Sequence, residues 1–198
     1  FFQAEDGIRD SWASRGLGDV YKRQVTVYAE STPNPSAMKF VANKKITDNT
    51  LSFEDTDSAQ DAPLVKELFN FPFVKEVFMD ENYISISKND TTQWEEVVME
   101  IRGFIKSYLE EEKTILGPSF DSDNQRANTT NPDQPLNDTE QEIVKILEEY
   151  VKPAVASDGG NIIFDSYEDA DKRVKVVLQG ACSGCPSATF TLKSGRGN

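Results

Sequence analysis

The chain has 198 residues, of which 37% are hydrophobic and 28% charged, and its formal net charge is −13. That balance fits soluble globular domains and argues against a nucleic-acid partner, whose phosphates need a basic patch, and against an anionic membrane surface. No stretch approaches the roughly 18 consecutive apolar residues of a membrane span.

Residues 1–24, FFQAEDGIRDSWASRGLGDVYKRQ, have no basic start, apolar run or small-residue cleavage site of a secretory signal. They resemble translated sequencing-adapter read-through, and the expectation is an artefactual tail that packs on nothing. With no signal or transit peptide in view, the expected location is cytoplasmic. From residue 25, VTVYAE alternates as a half-buried strand does, with Val25 and Val27 on one face. STPNPS breaks it, because Pro33 and Pro35 fix φ and favour an extended loop. MKFVAN resumes a strand, and DAPLVKELFN predicts a short helix with Asp61 as its cap and Pro63 in its first turn. VKEVFM and NYISIS are strands joined at MDEN. TTQWEEVVMEIRGFIKSYLEEE predicts a long helix, with Thr92 and Glu95 at capping-box spacing and Trp94, Val97, Ile101, Ile105 and Tyr108 in its apolar stripe. The carboxylates fall in solvated runs such as Glu110–Glu112, and no catalytic constellation appears.

Residues 117–138 carry three prolines and almost no apolar side chain, so they read as a flexible linker. It divides the chain into residues 25–116 and 139–198. In the second part, Thr139 and Glu142 have capping-box spacing, and Ile143, Ile146, Leu147, Tyr150 and Val151 make a stripe, with Pro153 at the helix end or at a kink. Gly159 and Gly160 form a tight turn, and NIIFDSY and RVKVVLQG are the strands of a hairpin, with Val174 and Val176 on its buried face. SATFTLKSG starts a helix capped by Ser187. The fold class expected is α+β: two small domains, each a short antiparallel or mixed sheet packed by helices.

GACSGCPSAT, residues 180–189, holds the two cysteines of the chain, Cys182 and Cys185, and the chain has no histidine. A loop of such small residues is expected to expose its thiols. Four readings compete. Two small residues without function are one. A structural zinc site needs four ligands, which two cysteines and no histidine do not supply. A dithiol oxidoreductase uses Cys-x-x-Cys spacing on a first helical turn, whereas Pro186 and Ser187 place both thiols before the helix. An iron–sulfur cluster takes about four thiolates, of which one chain supplies two, and a two-fold axis through the loops supplies the rest.

LQGACSGCPSATFTLKSG resembles the C-terminal domain of NifU-like (Nfu-type) iron–sulfur scaffold proteins, and VKPAVASDGGNIIF is similar to that domain's helix and Asp-Gly-Gly approach to its first strand. STPNPSAMKFVAN resembles the N-terminal domain joined to it in Nfu proteins. The resemblance implies a carrier rather than an enzyme. Such a protein holds a [4Fe–4S] cluster between two subunits, receives it from upstream assembly proteins and passes it to apo iron–sulfur clients. It makes Cys182 and Cys185 the metal ligands, completed by the same pair in a second copy. A Cys-x-x-Cys dithiol redox module is the alternative. Family members continue beyond TLKSG with more helix and a strand, so a truncated second domain is expected.

Overall fold

The computed structural model describes residues 24–120 and 136–185. The expectations for residues 1–23, for most of the linker, for the Ser187 helix and for the chain's end lie outside those residues. The described fold is α+β, as expected.

The first part is a five-stranded antiparallel sheet: β1 (Val27–Ser31), β2 (Ala37–Ala42), β3 (Leu51–Phe53), β4 (Val74–Asp80) and β5 (Tyr83–Lys88), in the spatial order β1-β2-β5-β4-β3. Two helices, α1 (Pro63–Leu68) and α2 (Trp94–Glu110), cover one face. The stripe of α2 is buried, and it meets Phe40, Val77, Met79, Ile84 and Ile86 from the sheet. Strand β3 escapes sequence reading because three residues are too few to show alternation; its pairing of Leu51 with Met79 identifies it.

Neither expected cap of the first part forms. Asp61 does not cap α1, whose N-cap is Ala62. Its carboxylate instead accepts from the Ser119 N–H at 2.9 Å, and its carbonyl accepts from the Gly117 N–H at 2.6 Å. Residues 117–120, at the start of the expected linker, thus turn back onto the sheet, with Phe120 edge-on to Phe53. Helix α2 starts from Gln93 without a side-chain cap.

The second part opens with α3 (Asp138–Ile146), capped by Asn137 and Glu140 in a reciprocal capping box rather than by Thr139 and Glu142. A π-helical turn, Leu147–Val151, then leads into α4 (Lys152–Ser157). Pro153 accounts for the wide turn: it has no N–H, and its ring collides with the carbonyl four residues back in a regular helix. The hairpin β6 (Gly160–Glu168) and β7 (Arg173–Gly180) pairs antiparallel, with Ile162 opposite Leu178 and Phe164 opposite Val176. The apolar stripe of the helical run is not covered: α3, the π turn and α4 have no buried side chain, and Tyr150 is 68% exposed. Val174 and Val177 of the hairpin are also exposed, against the expectation for Val174.

Strand β5 decides how the two parts relate. Ile84 and Ile86 point to the helices, so Tyr83 and Ser85 belong on the outer face, where an antiparallel sheet usually meets water. Yet Ser85 is 2% exposed, and on the same outer face Phe78 is 0% exposed. The second part covers them.

Candidate metal centre

The cysteines sit where β7 ends. Gly180 has φ +64°, a backbone that few non-glycine residues adopt, and turns the chain out of the strand. The Ala181 N–H donates to the Gly159 carbonyl and the Ser183 N–H to the Gly180 carbonyl, which fixes the loop against the Asp-Gly-Gly turn. Cys182 and Cys185 are the first and last residues of a four-residue turn, closed by the Cys185 N–H donating to the Cys182 carbonyl at 3.4 Å. Gly184, at φ +68°, takes the third position, as a type II turn requires. The Cys-x-x-Cys spacing is therefore the two ends of one tight turn, which holds the two Cα atoms within about 7 Å. A Cβ on Gly160 would stand 2.8 Å from the Cys182 sulfur, so this glycine makes room for the thiol.

Neither cysteine is in a disulfide. The exposure expected of a small-residue loop is not observed: Cys185 is 6% exposed and Cys182 is half-buried, with its thiol 4.0 Å from the Val155 carbonyl of α4. Burial, then the Asp158 carboxylate and Cys185, push the Cys182 thiol up to about 11. The thiolate is the form that attacks a disulfide and the form that ligates a metal, so in this closed arrangement burial holds Cys182 back from both. Among the described residues no group of three or more His, Cys, Asp or Glu side chains is placed to hold a metal ion. The donor chemistry fits iron, with two thiols on one turn, but it amounts to half of a four-thiolate set.

The groups that hold the turn come from the first part. Asn34, between the prolines of STPNPS, donates from Nδ2 to the Ala181 carbonyl at 3.0 Å, next to Cys182. Its Oδ1 accepts from the Ser36 N–H at 3.0 Å, which locks its own loop. The Tyr83 hydroxyl donates to the Gly160 carbonyl at 3.2 Å. Lys39 donates to the carbonyls of Ala156 and Ser157 at 3.0 and 3.1 Å, where the C-terminus of α4 favours a cation, and lies over the Tyr83 ring at 4.4 Å. None of these residues was singled out from the sequence. The one signal was STPNPS itself, an asparagine held between two φ-fixing prolines.

Both parts of the chain match one known family. The model of the scaffold protein Nfu/NifU N-terminal domain matches residues 27–112, and that of the NifU-like domain matches residues 143–195. The chain belongs to the Nfu scaffold family. A NifU-like protein 4, mitochondrial, from Arabidopsis thaliana is 31% identical over 88% of this chain and 61% of its own length. An NFU1 iron-sulfur cluster scaffold homolog, mitochondrial, from Drosophila persimilis is 31% identical over 90% of this chain and 62% of its own. The chain thus spans about three fifths of the length of these Nfu relatives. Both are named mitochondrial, as is NifU-like protein 5 of Arabidopsis thaliana. The expectation of a cytoplasmic location is therefore corrected: the relatives point to mitochondria. Among the described residues, no helix of this Nfu protein is long and apolar enough to cross a membrane.

Proposed function

We propose that the protein is a cluster carrier. Cys182 and Cys185 bind a [4Fe–4S] cluster together with the same pair from a second copy, and the cluster is passed from upstream assembly proteins to apo iron–sulfur clients. The observation that carries this reading is the tight turn with a thiol at each end and no further ligand group beside it among the described residues. Clusters of this type take four thiolates, and a two-fold axis at the turn is the simplest way for one sequence to supply them. In this reading the cluster is cargo and no substrate is turned over. Exchange works because thiolates of a client replace thiolates of the carrier one at a time.

The test is anaerobic reconstitution with iron and sulfide, read as iron and sulfide per chain and as the mass of the iron-loaded species. About four irons per two chains, on a dimeric species, is the expected result. Cys182→Ala and Cys185→Ala should each lose nearly all bound iron. A chain that holds no iron while cycling reversibly between dithiol and disulfide on a protein substrate overturns the reading.

A further inference from the structure

A cluster shared by two copies needs both cysteines of each turn to face the other chain. In this structure the turn faces its own first domain. Gly180 lies against the Phe78 ring, so closely that a Cβ there would be 2.7 Å from it. Asn34 holds the Ala181 carbonyl, Tyr83 the Gly160 carbonyl and Lys39 the end of α4. Cys185, at the far end of the same turn, is 6% exposed.

We propose that the outer face of the first domain is an intramolecular cover for the cysteine turn, latched by Asn34, Lys39 and Tyr83, and that it must lift before the turn can meet a second copy. The functional meaning of the cover rests on the carrier reading above; its existence does not.

Several features suit a joint that opens. The latches are hydrogen bonds to backbone carbonyls, which water satisfies equally well after separation. Two buried polar atoms at the junction, Ser85 Oγ and Asn161 Oδ1, have no partner in the closed form. Such atoms oppose closure, since an unsatisfied buried group loses its hydration, and both regain water on opening. The junction is also not packed throughout. A cleft of about 1010 Å³ lies between the parts, lined by Lys39, Asp80 and Tyr83 on one side and by Lys152, Asn161 and Gln179 on the other. The core of the first domain, by contrast, is closed by its own helices and does not need the cover. The prolines of STPNPS present Asn34 in a rigid loop, so that little entropy is lost when the latch closes.

The chain has two cysteines in all, so a thiol reagent reads this site directly. The experiment is the labelling rate of the reduced, iron-free full chain with Ellman's reagent, native and in urea. The native chain should label at least about tenfold more slowly than the unfolded one, as a site that reacts only through a minor open state does. Asn34→Ala should raise the native rate about two- to tenfold, the factor that one lost hydrogen bond makes in an opening equilibrium. Asn34→Ala also disturbs its own loop, so Tyr83→Phe, which removes one hydroxyl, and Lys39→Met are measured beside it. Faster labelling in Tyr83→Phe or Lys39→Met, with the melting temperature of the first domain unchanged, supports the cover. Native labelling as fast as in urea, or equal rates in all four proteins, overturns it. Because iron is absent, the outcome is separate from that of reconstitution: protected thiols in a chain that never binds iron would keep the cover and sink the carrier.

Discussion

In the first half, α2 carries Trp94, Val97, Ile101, Ile105 and Tyr108 at helical spacing, and all five are buried against the inner face of the sheet. In the second half, the run from α3 to α4 carries Ile146 and Tyr150 at the same spacing, and both are exposed. Among the described residues, the buried apolar residues of the second half are Ile162, Phe164, Ala181 and Cys185, all on the hairpin or the turn that follows it. The comparison separates two uses of an amphipathic pattern. A stripe shows which side of a helix is apolar, and only the tertiary partner decides whether that side is covered. The first half brings its partner within its own segment. Among the described residues, the second half finds part of its cover on the outer face of the first.

The largest effect that tests this contrast is in the first core. Phe40 is fully buried and sits edge-on to Trp94. Phe40→Ala should destabilise the first half by about 3–5 kcal/mol, as removal of a well-packed ring does. Val177, 39% exposed on the hairpin, offers the reverse case: Val177→Ala should stay within about 0.5 kcal/mol, as exposed positions do. Thermal unfolding of both variants checks the pair. A large loss from Val177→Ala would mean that the second half has a core of its own as demanding as the first.

The next effect is at the junction. Gly180→Ala combines two penalties, about 1–2 kcal/mol for a left-handed backbone and about 1–3 kcal/mol for crowding a filled site, since the new Cβ meets the Phe78 ring at 2.7 Å and the Gly159 carbonyl at 2.9 Å. A loss of about 2–5 kcal/mol is expected from the folding equilibrium of the second half. Adding Phe78→Ala should recover the ring's part of the crowding and leave the backbone share and the contact with the Gly159 carbonyl. If the double variant behaves as the simple sum of its parts, β7 does not press on that ring in solution.

These two contrasts also mark what the sequence could say. Strands β1, β2, β4 and β5 and helix α2 were legible, because each is long enough to show its period. The cysteine loop was legible from the spacing of Cys182 and Cys185 after the last strand, but not its tight turn at Gly184 or the burial of Cys185. The caps were not: Asp61 and Thr139 look like caps, but Asp61 serves the returning segment at Ser119, and Asn137, two residues ahead of Thr139, takes the helix start. Ser85 shows the deepest limit. Its alternation with Ile84 and Ile86 predicts a face in water, and the chain covers that face from Gly159, more than seventy residues away. No local pattern encodes a contact of that separation.

The smallest effect concerns Glu76, on the same outer face as Phe78. Burial raises its carboxyl above the ordinary carboxylate range; the Ser52 hydroxyl, which donates to it at 3.3 Å, and the Gly180 N–H offset this only in part, and Glu54 adds to the rise. The sign follows from linkage. A carboxyl whose value is raised on folding holds its proton more tightly in the closed form, so its contribution is complete below the unfolded value and fades as pH rises through the raised one. The junction should therefore be slightly tighter in mild acid than at neutral pH, a trend opposite to that of an ion-paired carboxylate. Glu76→Gln keeps the hydrogen-bonding shape without the charge, so it should hold the acid-side behaviour at every pH. Melting temperatures of the parent and of Glu76→Gln from about pH 4 to about pH 7 test this, with the two curves meeting on the acid side and parting by a small margin above it. If the parent instead gains stability relative to Glu76→Gln as pH rises, the ionised carboxylate is favoured at the junction, and Gly180 does not bury it in solution.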